Sequence, residues 1–237
     1  MKRRLFLLLV TSFMLMGCAN AANEASQSNT SENTESGSST SSQKESTQGG
    51  GSTLKVNFYN NNSFPTGKIL DHKEAFITAF NNGERSGDPG YSSSLSDVSC
   101  NDKEKVAIAN NTSDVCHINN ILQLGARSGA GELTLHFTGT PMVSVKIVAQ
   151  AYWTCYQYSG TPLTYSVDEY ANICVGNDEN YIDLSNDGSA EPELITREYY
   201  FEHIFELKLY DVMNQDPLPE KQGQRVYIHS LEFKFGC

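Results

Sequence analysis

The sequence predicts a mostly β protein: an antiparallel two-sheet β-sandwich with one short helix near the start of the folded domain. Three observations predict it. Apolar and polar residues alternate over several segments, the longest being 197–211. Turn residues, chiefly Gly, Pro, Asn and Asp, separate those segments. Helical spacing is clear in one place, over 71–82. A period of two puts every second side chain on one face, as in strands buried on one side only. Several such strands with a single helix bury their apolar faces best as two packed sheets.

The chain of 237 residues reads as three parts. In residues 1–17, Lys2, Arg3 and Arg4 precede an almost unbroken apolar run over 5–15. That run is shorter than the roughly 20 residues needed to span a bilayer. It has the length and flanks of a secretory signal. It closes in Leu15-Met16-Gly17-Cys18, which resembles the lipobox of bacterial lipoproteins. The resemblance implies a diacylglyceryl group on Cys18 and cleavage after Gly17. Met16 departs from the pattern, which prefers a smaller residue there. The expected location is the outer side of the cell membrane, with the membrane touched through lipid alone. Each buried lipid CH₂ contributes about 0.8 kcal/mol, so two or three chains anchor firmly.

Residues 18–53 form the tether. They are rich in Ser, Thr, Glu and Gly and contain no large apolar residue. Such a segment buries too little surface to offset its ordering entropy. Its 35 or so residues reach on the order of 30 Å. Residues 54–237 are the folded domain, long enough to bury a real core.

Formal charge is -11. Removing residues 1–17 takes away three positive charges and no negative one, leaving about -14. A chain so acidic is repelled by phosphate backbones, which argues against nucleic acid as a partner.

Within the domain the strands follow in order. Leu54, Val56 and Phe58 alternate with Lys55, Asn57 and Tyr59. The helical segment 71–82 carries Phe76 and Phe80 at i, i+4, with Asp71 and Glu74 spaced as a capping box and Gly83 as its stop. Leu133, Leu135 and Phe137 share one face, as do Val143, Val145, Ile147, Ala149, Ala151 and Trp153. Asn177-Asp178-Glu179-Asn180 reads as a hairpin connection. In 197–211, Tyr199, Phe201, His203, Phe205, Leu207 and Leu209 face one way, with Ile204 the one apolar exception on the other face, so His203 reads as a core histidine. The segment 225–235 is apolar on both faces, as expected of a central strand or of a bulge near Ser230.

Several of these segments also carry a resemblance. Ile121-Leu122-Gln123-Leu124-Gly125, Gly131-Glu132-Leu133-Thr134-Leu135, Val145-Lys146-Ile147-Val148 and the closing Tyr227-Ile228-His229-Ser230-Leu231-Glu232 resemble β-sandwich modules of Firmicutes and Mollicutes surface proteins. Those modules are similar to galactose-binding-like jelly rolls. The resemblance covers about 115 residues. It implies a jelly-roll fold without catalysis, and it rests on strand patterns rather than chemistry.

The register of 143–153 puts Trp153 on the core face and Tyr152, Tyr156 and Tyr158 on the other. With Gln150 and Gln157 nearby, the tyrosines are candidates for stacking a pyranose ring, which needs flat aromatic surface beside hydrogen-bonding groups. Cross-strand packing under a loop is the plainer account of the same residues.

Asp183, Ser185 and Asp187 before Gly188 open like a calcium loop, and Glu191 adds a carboxylate. Leu194 stands where an EF-hand needs its glutamate, and an acidic turn explains the same pattern. No cofactor is required, and structural calcium is the one ion the pattern suggests.

Beyond Cys18, five cysteines remain, and sequence alone does not fix their pairing. The shortest loops would join Cys100 to Cys116 and Cys155 to Cys174, leaving Cys237 free. None of His72, His117, His136, His203 and His229 sits in a catalytic motif. The function expected is a non-catalytic binding module at the cell surface, with carbohydrate or a cell-wall or host component as partner. The alternatives are a structural or protein-interaction lipoprotein and then a secreted hydrolase.

Overall fold

Alternating strands need a second apolar surface to bury against, and here two antiparallel sheets supply it to each other. The computed structural model describes residues 50–112, 116–127, 129–168, 171–185, 187–188, 190–211 and 225–236. Their strands and single α-helix, in chain order, are β1 (Gly51–Asn57), β2 (Gly67–Lys68), α1 (Lys73–Asn81), β3 (Glu84–Gly87), β4 (Ser93–Cys100), β5 (Val106–Thr112), β6 (His117–Leu124) and β7 (Glu132–Gly139). Then come β8 (Met142–Ala151), β9 (Trp153–Tyr156), β10 (Thr164–Val167), β11 (Asn172–Val175), β12 (Asn177–Asp183), β13 (Ile195–Ile204), β14 (Glu206–Tyr210) and β15 (Val226–Gly236).

The first sheet runs β13-β8-β15-β6-β5-β2, with β1 also on β15 and β3 beyond β1. The second runs β12-β11-β14-β7-β4, and β9 and β10 form a separate hairpin. The chain is thus mostly β, antiparallel and two-layered, as the alternation predicts.

Leu54, Val56 and Phe58 are buried, as are Leu133, Leu135 and Phe137, and Val145, Ile147, Ala149 and Ala151. They meet between the sheets with a chain of phenylalanine rings running from Phe58 through Phe76, Phe80 and Phe137 to Phe235. Helix α1 closes one side of this core through Phe76 and Phe80.

The local differences have identifiable causes. Strand β1 starts at Gly51, three residues before the expected boundary, because Gly51–Thr53 pair with 234–236 of β15. Helix α1 begins at Lys73 after a 3₁₀ turn over Ile69–His72, and its N-cap, His72, makes no side-chain capping bond. The capping box of Asp71 and Glu74 is therefore not formed: Asp71 lies inside the entry turn that buries Ile69. Past the helix, a Cβ on Gly83 would stand 2.6 Å from the Lys55 carbonyl, so only glycine lets β1 approach this closely.

The long alternating run is two strands, not one. β13 pairs with β8 in the first sheet, and β14 pairs with β7 and β11 in the second. The backbone bulges around His203, whose φ is +55°; Ile204 still pairs with Met142 of β8, and the chain crosses to the second sheet at Phe205. His203 is exposed there, not in the core. In β15 the expected bulge is present: the register slips between Ile228 and Ser230. The same strand is central, with β8 on one side and β1 and β6 sharing the other.

Candidate functional site: a stapled aromatic hairpin

A second apolar cluster lies on the face of the first sheet turned away from the core. Cys116, Ile118, Ile121, Trp153, Cys155 and Tyr227 form it, with Ala109, Tyr152, Leu163, Tyr165 and Val167 packed around them. Tyr227 belongs to it, while its neighbours Val226 and Ile228 point into the main core. The β9–β10 hairpin is the lid of this cluster. A disulfide between Cys116 and Cys155 fastens it to the start of β6, with Cα atoms 5.8 Å apart.

This pairing corrects the short-loop expectation for all four cysteines. Cys100 and Cys174 are free thiols, one at the end of β4 and the other in β11. Both strands belong to the second sheet, so neither cysteine reaches Cys116 or Cys155. Burial pushes the Cys100 thiol up to about 11, which keeps it protonated and unreactive. Cys18 and Cys237 lie outside the described residues.

The hairpin's base is held by charge as well as sulfur. Buried Asp168 accepts from the Arg225 backbone N–H at 2.9 Å, from Nε at 2.7 Å and from Nη2 at 2.8 Å. The Arg225 guanidinium carbon lies 3.4 Å above the Tyr152 ring. Burial alone would lower the Arg225 pKa, but bonding to Asp168 more than offsets it and leaves the pKa raised. A buried bidentate pair of this kind fixes geometry strongly.

The four candidate ligand residues therefore part company. Tyr156 and Tyr158 are 45% and 71% exposed, with ring centroids 5.6 Å apart in an edge-to-face pair. The turn that carries them is tied by Thr161 N–H donating to the Tyr158 carbonyl and by Gln157 Nε2 donating to the Thr161 carbonyl. Tyr152 is half-buried, between Arg225 and Tyr227, and does not join them. Gln150 is buried beneath the Trp153 indole. In the orientation that satisfies its amide, its oxygen accepts from Trp153 Nε1 at 2.5 Å and its nitrogen donates to the Pro192 carbonyl. Gln150 is thus a packing residue and offers nothing to a surface ligand. Trp153 is buried as expected, but in this second cluster, because the strand pattern breaks at Tyr152.

At the calcium-like loop, the Asp183 carboxylate folds onto Ser185, accepting from its N–H at 2.9 Å and from its hydroxyl. Ser185, Asp187 and Glu191 line an open groove of about 450 Å³ with Glu193, and Asp183 is not part of that lining. Among the described residues, no three His, Cys, Asp or Glu side chains converge as a metal set.

Two groups, buried Asp211 and half-buried His229, carried no sequence signal beyond an acid or a histidine beside apolar neighbours. Asp211 accepts from the Gly131 N–H through Oδ1, while Oδ2 has no partner among the described residues. Burial pushes its pKa up to about 7, and nearby Lys105 opposes the shift only in part. His229, whose ring centre lies 4.8 Å from that of Tyr59, is pushed down to about 4 by burial.

No family model matches the chain, and no curated protein matches it. Among the described residues, no helix is long and apolar enough to cross a membrane.

Proposed function

We propose that the protein is a lipid-anchored, non-catalytic surface module whose β9–β10 hairpin presents Tyr156 and Tyr158 to carbohydrate. One observation carries the proposal. Two large aromatic rings are held in solvent, in contact with each other, on a turn braced by a disulfide and a buried ion pair. Exposed aromatic surface on a rigid mount loses little entropy when it stacks a sugar ring. Cys18 supplies the anchor in this reading, and the galactose-binding-like resemblance is consistent with it.

The test uses the mature chain. Glycan-array or affinity-electrophoresis retention is expected, with loss in a Tyr156→Ala/Tyr158→Ala double variant of unchanged Tm. Absence of retention on every glycan tried removes carbohydrate from the proposal. The anchor is tested separately: labelled fatty acid should enter the wild-type chain in cells and not the Cys18→Ala variant.

A protein-interaction role is the second reading. Leu194, Tyr200 and Phe205, on and beside β13, are 54%, 72% and 49% exposed. Capture of a surface protein that is lost in Tyr200→Glu, with glycan retention absent throughout, would favour it.

A further inference from the structure

The edge strand β3 carries an arginine that the hairpin site does not use. Arg85 reaches across from the first sheet to the second, and its Nη1 donates to the Ser93 carbonyl at 2.8 Å. That bond holds the guanidinium through Nη1, and among the described residues Nε and Nη2 have no protein acceptor. Among the described residues, no carboxylate pairs with it, although the chain carries 28 acidic residues against 17 basic ones. The two nearest acids in sequence are engaged or turned elsewhere. Asp88 accepts from the Gly90 N–H, and Glu84 is paired in register with Lys55 across the strands.

Beside the guanidinium is a cavity of about 150 Å³ lined by Ser52, Thr53, Ser86, Gly87, Pro89 and Ser92, with Arg85 its one charged wall. That is several times the roughly 30 Å³ of a liquid water molecule. The Ser52 hydroxyl is committed to the Tyr91 carbonyl. Thr53, Ser86 and Ser92 complete the lining. Gly87, at φ +89°, lets the wall run close to Ser52, where a Cβ would stand 3.0 Å from the Ser52 Cα. A planar guanidinium held by one bond, in a lining that carries no carboxylate, matches one ligand chemistry, an oxyanion.

We infer that this cavity is a binding site for a single oxyanion group, of the carboxylate, sulfate or phosphate class, held on Arg85. The site is independent of the hairpin and does not rest on the carbohydrate reading. It gives an acidic protein a local point of attraction for an anionic partner, with the charge of the guanidinium set against the net repulsion of the chain.

The experiment is an NMR titration of the isotope-labelled mature chain with sodium sulfate, inorganic phosphate and sodium acetate, at ionic strength held constant with sodium chloride. Expected are saturable shifts of the Ser86 and Gly87 amides and of Arg85 Nε with at least one oxyanion. The strongest responder separates a tetrahedral from a planar ligand. Arg85→Gln should abolish the shifts. Ser86→Asp, at an exposed rim position, should weaken them by setting a negative charge beside the cavity, and it keeps the inference testable if the first variant folds poorly. Chloride-like, non-saturating shifts with all three anions would overturn the inference, as would undiminished shifts in a folded Arg85→Gln or Ser86→Asp variant.

Discussion

The main core and the cluster under the β9–β10 hairpin solve the same problem by different means. Between the sheets, phenylalanine rings and aliphatic side chains from nearly every strand are buried together, and apolar area alone is enough. Beneath the hairpin the apolar cluster has six buried members among the described residues, and three of them are cysteine or tyrosine. So small a cluster cannot hold a two-stranded lid by apolar burial, because an isolated hairpin is marginal in water. The Cys116–Cys155 bond and the Asp168–Arg225 pair make up the difference. The region that needs staples is also the one that exposes aromatic surface, since rings spent on solvent do not contribute to a core.

The comparison is broken most severely from the core side. Phe233 is fully buried and touches Phe80, Phe137 and Phe235, with centroids 5.6, 5.1 and 6.2 Å away. Phe233→Ala should cost about 3–5 kcal/mol. Denaturant unfolding should show one cooperative transition moved to lower midpoint. A loss confined to the hairpin would mean that the two clusters are not energetically distinct.

Removing the staple should have a smaller and more local effect. Cys116→Ser with Cys155→Ser opens a loop of 39 residues in sequence, which is expected to cost about 2–4 kcal/mol. Hydrogen exchange should quicken in β9 and β10 first, while the amides of β8 and β15 keep most of their protection. Uniform quickening across all strands would contradict the division.

The same division marks what the sequence reveals. Residues whose faces are set by strand parity alone were legible: Val56, Leu135 and Ile147 are buried where alternation puts them, and the register slips beside Ser230. Parity fails where a third layer intervenes. Gln150 faces away from the core, yet the hairpin covers that face, so a polar side chain that looks exposed is buried. Parity also fails where β13 gives way to β14: Ile204, the apolar residue on the polar face, packs against the core, while His203 and Phe205 of the apolar face are exposed. Disulfide pairing was illegible for a related reason: it depends on which loops meet over the sheet, not on their spacing. Of the four candidate ligand residues, the exposure of Tyr156 and Tyr158 was legible, and the cover over Tyr152 and Gln150 was not.

Asp211 provides a pH handle on the end of the fold where β6, β7 and β14 meet. Its carboxyl holds a proton more tightly folded than unfolded, since burial lifts its pKa from 3.8 to about 7. The sign follows from linkage: stability is full below about pH 3.8 and falls as the pH rises to about 7. Lys105 and Asp168 are the charged groups acting on it, the first easing ionisation and the second opposing it. Asp211→Asn should therefore gain on wild type across that window, by about 1–3 kcal/mol at its upper end. Half-buried His229 imposes a slope of the opposite sign, with stability lost as the pH falls from 6.5 toward about 4, and it cancels in the difference between the two proteins. A difference that stays constant with pH would show that Oδ2 has found a partner.

The smallest expected effect on stability is at the tyrosine pair, and that smallness is informative. Tyr156 and Tyr158 lie beyond the staple, so neither ring buries enough surface for the fold to depend on it. Replacing both with alanine should shift stability by no more than about 0.5 kcal/mol each, as for other exposed positions. A larger loss would mean that the rings pack onto the hairpin in solution and belong to the second cluster, which would remove them as a ligand platform. A neutral effect on Tm together with loss of glycan retention would separate the mount from what it carries: Cys155, Asp168 and Arg225 needed for the shape, Tyr156 and Tyr158 for the contact. Reduction of the disulfide then becomes the complementary case, with the tyrosines intact and their geometry released, and it should weaken retention without touching either ring.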